Sequence, residues 1–205
     1  MKKFVPIIIL IIAISYNAEA QKRFKNKDFC HHFKKGSYFP LDIKIKKVGW
    51  FGAYYYERLL GEREYDGHDY KIFEQAYSNG HIDTLYLRED GEKVYEFKEV
   101  EEIEILRLDP NMPLNETWPG QTKDVEYSII SKNAILETPF CVYRNLLVIK
   151  TKWDEEFFLF YYMRGFGYVG GKGIVGSSTE VALISAAIPD LDDLEDVIKL
   201  REKKQ

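Results

Sequence analysis

Cysteine is scarce in this chain: Cys30 and Cys141 are the only two in 205 residues. That is too few for a disulfide-framework fold or a four-thiolate zinc site. An even pair in an exported chain still invites one bridge, closing a loop of about 110 residues. The alternative is that Cys141 is a small buried residue of a strand and Cys30 a free thiol near the N-terminus. Catalytic signatures are missing as well. Neither G-x-S-x-G nor H-E-x-x-H occurs. Positive charge is not in excess: 29 Lys and Arg stand against 33 Asp and Glu, a net charge of −4. That argues against a general nucleic-acid binder, which needs a basic face. Beyond the N-terminal segment no apolar run approaches the ~20 residues that span a bilayer. Heptads, low-complexity tracts and internal repeats are absent.

The N-terminus is where long apolar sequence does occur. Lys2 and Lys3 precede an apolar run from Phe4 to Ile14, and Ala18 and Ala20 stand at the small-residue positions before Gln21. This is the arrangement of a cleavable secretory signal over residues 1–20. It predicts export to the periplasm or cell surface, with no membrane span left after cleavage. No cysteine stands at the cleavage point, so a lipid-anchored mature terminus is not indicated. Loss of Lys2, Lys3 and Glu19 takes Lys plus Arg from 29 to 27 and Asp plus Glu from 33 to 32, hence the net charge from −4 to −5.

The rest is punctuated by turns. Asp66-Gly67, Asn79-Gly80 and Asp90-Gly91 recur at intervals of 13 and 11 residues, and such dipeptides suit the positive φ of tight hairpins. Between them lie runs rich in β-branched and aromatic residues: Gly52 to Leu60, Tyr70 to Tyr77, Ile82 to Glu89 and Lys93 to Phe97. The pattern predicts an antiparallel meander. Further strands are expected at Glu102 to Leu108, from Val125, at Phe140 to Thr151, at Phe157 to Met163 and before Ile188; Asp109 to Lys123, with three prolines, reads as a loop. Leu191, Leu194, Val197, Ile198 and Leu200 mostly share one helical face after Pro189, with acids early and bases late, predicting a short C-terminal helix. The expected organisation is thus a signal over 1–20, an N-terminal segment over 21–37, an all-β antiparallel domain over 38–188 forming a curved sheet or barrel, and a helix or tail over 189–205.

Several motifs invite chemistry. Gly165, Gly167 and Gly170 have the G-x-G-x-x-G spacing, but the following "GKGIVGSS" is too glycine-rich to start the helix a dinucleotide loop needs. Lys172 is no P-loop lysine, because Gly173 stands where Ser or Thr is required. The glycines are expected to bend the chain between strands. Cys30, His31 and His32 are zinc-type ligands, but adjacent side chains rarely reach one ion. No metal or other cofactor is implied. Cys141 sits in an apolar strand, where a thiolate is disfavoured. Asp154, Glu155 and Glu156 could serve an envelope hydrolase with loop carboxylates, or simply be a solvated hairpin tip. Asn115-Glu116-Thr117 matches the N-glycosylation sequon and marks an exposed loop. Aromatic residues are abundant, with 15 tyrosines and 13 phenylalanines. They supply the core of a large sheet and could line a pocket for an apolar ligand. The binding candidates are Trp118, Tyr161, Tyr162, Phe166 and Tyr168, dense aromatics beside the bending glycines and in the long loop.

The order of elements resembles a loose family of uncharacterised secreted bacterial envelope β-domains. The resemblance rests on Phe39-Pro40-Leu41, Tyr54 to Tyr56, Leu85 to Tyr95, Pro113-Leu114 with Trp118, Thr138 to Cys141, and Tyr161 to Val169, and covers about Tyr38 to Ser185. This chain departs from the pattern in carrying "DIKIKKVG" between Leu41 and Trp50, and in lacking a glycine between Thr138-Pro139 and Phe140. The resemblance implies an all-β, barrel-like fold in the cell envelope, and it transfers no catalytic residue. The reading is a non-enzymatic exported β-domain that binds an apolar small molecule or peptide. The alternatives are the hydrolase and a structural protein-interaction module docking through its terminal helix.

Overall fold

The computed structural model describes residues 35–188 except 51, 121, 123, 154, 155 and 175–180. These residues form twelve strands. They are β1 (Ile45–Trp50), β2 (Ala53–Tyr65), β3 (His68–Tyr77), β4 (Ile82–Asp90), β5 (Lys93–Lys98), β6 (Ile103–Leu108), β7 (Thr117–Pro119), β8 (Val125–Glu137), β9 (Val142–Trp153), β10 (Glu156–Met163), β11 (Gly167–Ile174) and β12 (Val181–Ile188). All lie in one sheet of order β6-β5-β4-β3-β2-β1-β12-β11-β10-β9-β8-β7. Two six-strand meanders therefore meet at the β1–β12 pair, where Lys47 lies opposite Ile188 and Trp50 opposite Ser185.

The sheet curls until its far ends approach. Val94 and Leu108, from β5 and β6, pack in one buried cluster with Tyr127, Ile129, Leu147 and Ile149 of β8 and β9. Leu114, in the loop after β6, forms a parallel bridge with Ile129. The result is a nearly closed, barrel-like antiparallel sheet. The expected C-terminal helix must be withdrawn from the fold class. Among the described residues there are only strands, turns and bends, and residues 189–205 lie outside them, as do the signal 1–20 and residues 21–34. That helix was read from periodicity and charge order, which do not by themselves supply the tertiary packing that stabilises most helices.

The turn chemistry is realised in different ways. Asp66 and Gly67 both adopt positive φ, 48° and 75°, as a type I′ hairpin requires. At the third turn the two-residue loop is Gly91-Glu92, since Asp90 pairs with Lys93; only the glycine has positive φ. β1 falls within the stretch that separates Leu41 from Trp50, where lysines mask the alternation: Lys46 and Val48 are both buried. Within the expected loop Asp109 to Lys123, the short β7 pairs with β8. The sequon residues Asn115, Glu116 and Thr117 are exposed.

The glycine motif is a hairpin and a tight packing site. β10 ends at Met163, the chain turns through Gly165, and β11 continues as a strand instead of a helix. Gly167 has φ of +86°, and a Cβ there would lie 2.9 Å from the Lys46 Nζ. Gly170 stands in β11 opposite Ala186, and its Cβ would lie 2.8 Å from the Ser185 carbonyl oxygen. Backbone on the neighbouring strand has little freedom to yield. Gly170→Ala should therefore destabilise the protein by about 1–3 kcal/mol in urea unfolding. Gly61→Ala, with nothing within 4 Å of its Cβ, should stay within about 0.5 kcal/mol of the parent. Equal effects of the two substitutions would refute this packing account.

Candidate functional site: the lumen of the sheet

Alternate residues of a strand face opposite sides, and one side of this sheet surrounds a lumen. Cavities of about 510 and 180 Å³ occupy it, a third of about 490 Å³ lies at its edge by β4, β5 and the turn after β5, and Arg107 of β6 lines all three. The largest has walls of Trp50, Val125, Ile149, Phe158, Phe160 and Tyr162. Among the described residues, Arg107 is the single charged residue on its lining. The smallest adds Lys46, Tyr55, Glu57 and Tyr168. The remaining one is polar and opens past Asp83, Glu99 and Glu101. Phe158, Phe160 and Tyr162 explain why β10 is apolar at nearly every position yet only half-buried. One face looks into the lumen, while Tyr161 and Met163 join a core cluster with Val148 and Val169.

The charges inside are paired across strands. Lys46 Nζ lies 3.8 Å from Glu57 Oε1, and Gln75 Nε2 donates to Glu57 Oε2 at 2.8 Å. Tyr77 in turn donates its hydroxyl hydrogen to Gln75 Oε1 at 3.2 Å. Glu96, 2% exposed, is bracketed by Lys98 and by Arg107 Nε at 3.0 Å. Burial lowers the Lys46 pKa from its ordinary value, against the opposing pull of Glu57 and Asp42. Burial alone would also lower that of Arg107. Glu96, with smaller help from Tyr127, Tyr162 and Glu57, outweighs it and raises the pKa, keeping the guanidinium charged. Among the described residues, these pairs set three cations against two carboxylates. Thr151 lines the largest cavity, and its buried Oγ1 has no hydrogen-bond partner among the described residues.

The five aromatic binding candidates do not converge. Tyr162 and Tyr168 line the lumen, with ring centroids 5.8 Å apart. Tyr168 also shares a hydrogen bond with Ser185. Tyr161 and Phe166 belong to the core cluster with Val48 and Leu136. Trp118 is buried with Tyr127 and Ile129. The sequence reading missed Arg107, Trp50 and Phe160. An arginine inside a short alternating run, "EIEILRL", was the available signal. Cys141 is buried, whereas Cys30, His31 and His32 lie outside the described residues. So do Asp154 and Glu155; Glu156 is exposed on β10. Other aromatics serve the opposite face of the sheet: Tyr65 stacks on Phe97 at 4.5 Å, and Glu99 accepts hydrogen bonds from the Tyr65 and Tyr86 hydroxyls at 2.8 and 3.0 Å.

Buried tyrosines give the domain a definite alkaline limit. Burial pushes Tyr77 and Tyr162 up to about 12 and raises Tyr55, Tyr143 and Tyr168 as well. A raised folded-state pKa means the neutral phenol is favoured in the fold, so the unfolded chain loses its protons first. That contribution is fully present below about pH 10 and is lost as pH rises through the folded-state values. The urea midpoint should fall between about pH 9 and about pH 11, with tyrosinate absorbance appearing together with unfolding. A midpoint that does not move across that interval would contradict the burial of these phenols.

No family model matches the chain, and no curated protein matches it. Among solved structures, a "putative exported protein with YmcC-like fold" from Bacteroides fragilis is 10% identical with a TM-score of 0.42, covering 75% of this chain and 97% of its own. A "putative lipoprotein" from Parabacteroides distasonis is 10% identical with a TM-score of 0.40, covering 76% of this chain and 98% of its own. Backbone overlap at that level is loose and supports no inference about this chain.

Proposed function

We propose that this chain is an exported, non-enzymatic binding protein of the periplasm or cell surface, and that its lumen takes up an apolar small molecule. The observation that carries this reading is the cavity of about 510 Å³ walled by Trp50, Ile149, Phe158 and Phe160. Its volume falls within the range typical of small-molecule sites. The N-terminal signal pattern supplies the export half. The lumen carboxylates Glu57 and Glu96 are each engaged by a cation, which suits a fixed ion-paired wall better than an acid–base pair awaiting substrate.

In the exported state we assign a bridge between Cys141 and Cys30. Intact mass under non-reducing conditions should fall short of the reduced chain by two hydrogens. Reduction should then cost at most about 4.7 kcal/mol of stability for a loop of this length. An unchanged mass on reduction would reject the bridge.

Uptake is measurable with a naphthylamine dye that fluoresces in apolar surroundings. The mature protein should bind it saturably, with one site per chain. Val125→Trp, which places an indole in the cavity from the start of β8, should weaken binding at least tenfold while leaving the thermal midpoint near that of the parent. Unsaturable binding, or binding indifferent to Val125→Trp in a folded protein, would overturn the lumen as the site.

A further inference from the structure

The chemistry of the ligand can be narrowed by asking what the lumen leaves incomplete. Arg107 carries five N–H donors in a rigid fork. Its Nε faces Glu96 Oε2 at 3.0 Å, and among the described residues that is its one ion pair. Its side chain keeps 20% exposure while lining all three cavities, so the exposure is to the interior. Nη1 and Nη2 enter no side-chain hydrogen bond recorded among the described residues. Buried donors of a charged group are costly to leave unmatched. Thr151 lies opposite Tyr127 in the β8–β9 register, and Tyr127 is one of the groups whose field Arg107 feels. Thr151 Oγ1 is also without a partner. Among the described residues, the wall of the largest cavity therefore combines an aromatic trough with one cation, and the unmatched Thr151 hydroxyl is buried behind it.

Charge balance points the same way. Among the described ion pairs, Lys46 pairs with Glu57 and Lys98 with Glu96, so Arg107 is a second cation on the Glu96 carboxylate. The lining of the polar cavity carries Asp83, Glu96, Glu99 and Glu101 against Lys98 and Arg107, so an anion is better placed on the aromatic side.

We propose that the lumen binds an amphipathic acid, its carboxylate forked on Nη1 and Nη2 of Arg107, and its apolar chain lying along Phe158, Phe160, Ile149 and Trp50. Arginine matches a planar carboxylate with two parallel hydrogen bonds. In a low-dielectric lumen this interaction discriminates strongly against an uncharged head. The inference rests on the lumen reading given above and adds the chemistry of the head.

The test compares dodecanoate, dodecanol and dodecylamine by dye displacement on the delipidated mature protein. Dodecanoate should bind at least tenfold more tightly than dodecanol, and dodecylamine should bind least. In the variant Arg107→Gln, which leaves Glu96 paired with Lys98, the acid should lose its advantage while the alcohol binds as before. Arg107→Lys keeps the Glu96 pair but replaces the fork with a point charge; the preference should shrink several-fold. That variant keeps the test open if Arg107→Gln does not fold. Equal binding of acid and alcohol by the parent would overturn the head assignment while the apolar lumen stands. Displacement by none of the three would overturn the lumen reading itself. A preference for the acid that survives in both variants would overturn Arg107 as its seat.

Discussion

Four residue pairs between β1 and β12 hold the two six-strand meanders in a single sheet. Everything in the lumen depends on that seam. β1 brings Lys46, Val48 and Trp50 to the interior, and β12 brings Ser185, the partner of Tyr168. The strands that meet here carry small residues where they touch. Gly49 lies opposite Ala186, and Gly170 and Gly171 of β11 lie opposite Ala186 and Ser185. Small side chains allow close approach and strong coiling, which a curled sheet needs in order to bring its ends together. The alanines of β12 look poor for a strand on propensity alone. In the sheet they are buried, Ala187 completely, and their size is what the seam requires.

That seam also sets what could be read from sequence. The hairpins were legible because their turns carry local chemistry, as at Asp66-Gly67. β1 was not, because its outward residue Lys47 and its inward Lys46 are both lysines. A charged residue facing a lumen breaks the rule that apolar means inside. The same substitution of polar for apolar hid the site. Glu57, Glu96 and Arg107 alternate with Tyr56, Phe97 and Leu108, so a reader looking for the apolar face of each strand picks the wrong side. Aromatic density near the glycines pointed to the right region of β10, yet strand alternation divides it: Tyr162 enters the lumen and Tyr161 the core. Only the curl of the whole sheet decides which neighbour goes where, and that curl is not written in any one segment.

The interior is an unusual place for five charges. Replacing buried ion pairs with apolar residues of similar volume is often neutral or stabilising, so pairs such as Glu96 with Arg107 and Lys46 with Glu57 are not explained by stability. They do fix geometry. Glu96 holds the Nε edge of Arg107, which sets the plane of the guanidinium and the direction of its two outer nitrogens. Glu57, steadied by Gln75 and through it by Tyr77, occupies Lys46 and keeps that second cation from competing for an anion. The network is a support for one arginine as much as a set of contacts.

The void beside that arginine carries the same implication. Protein interiors pack like organic crystals, and voids larger than a water molecule are few. A sheet of this length could have filled its lumen by leucine or methionine at Val125, Thr122 or Thr151. Instead the wall is built of stiff rings, Phe158, Phe160, Tyr162 and Trp50, which hold shape without collapsing inward. Phe158 and Phe160 stack with centroids 6.5 Å apart on the same face of β10, and Phe160 packs on Tyr168 at 6.0 Å. Bracing of that kind keeps a cavity open at a cost in burial that the rest of the fold must offset. A wall that is stiff, apolar and marked by one oriented cation is fitted to a molecule with an apolar body and an anionic end, and it is the arrangement of the wall, more than its composition, that argues for one.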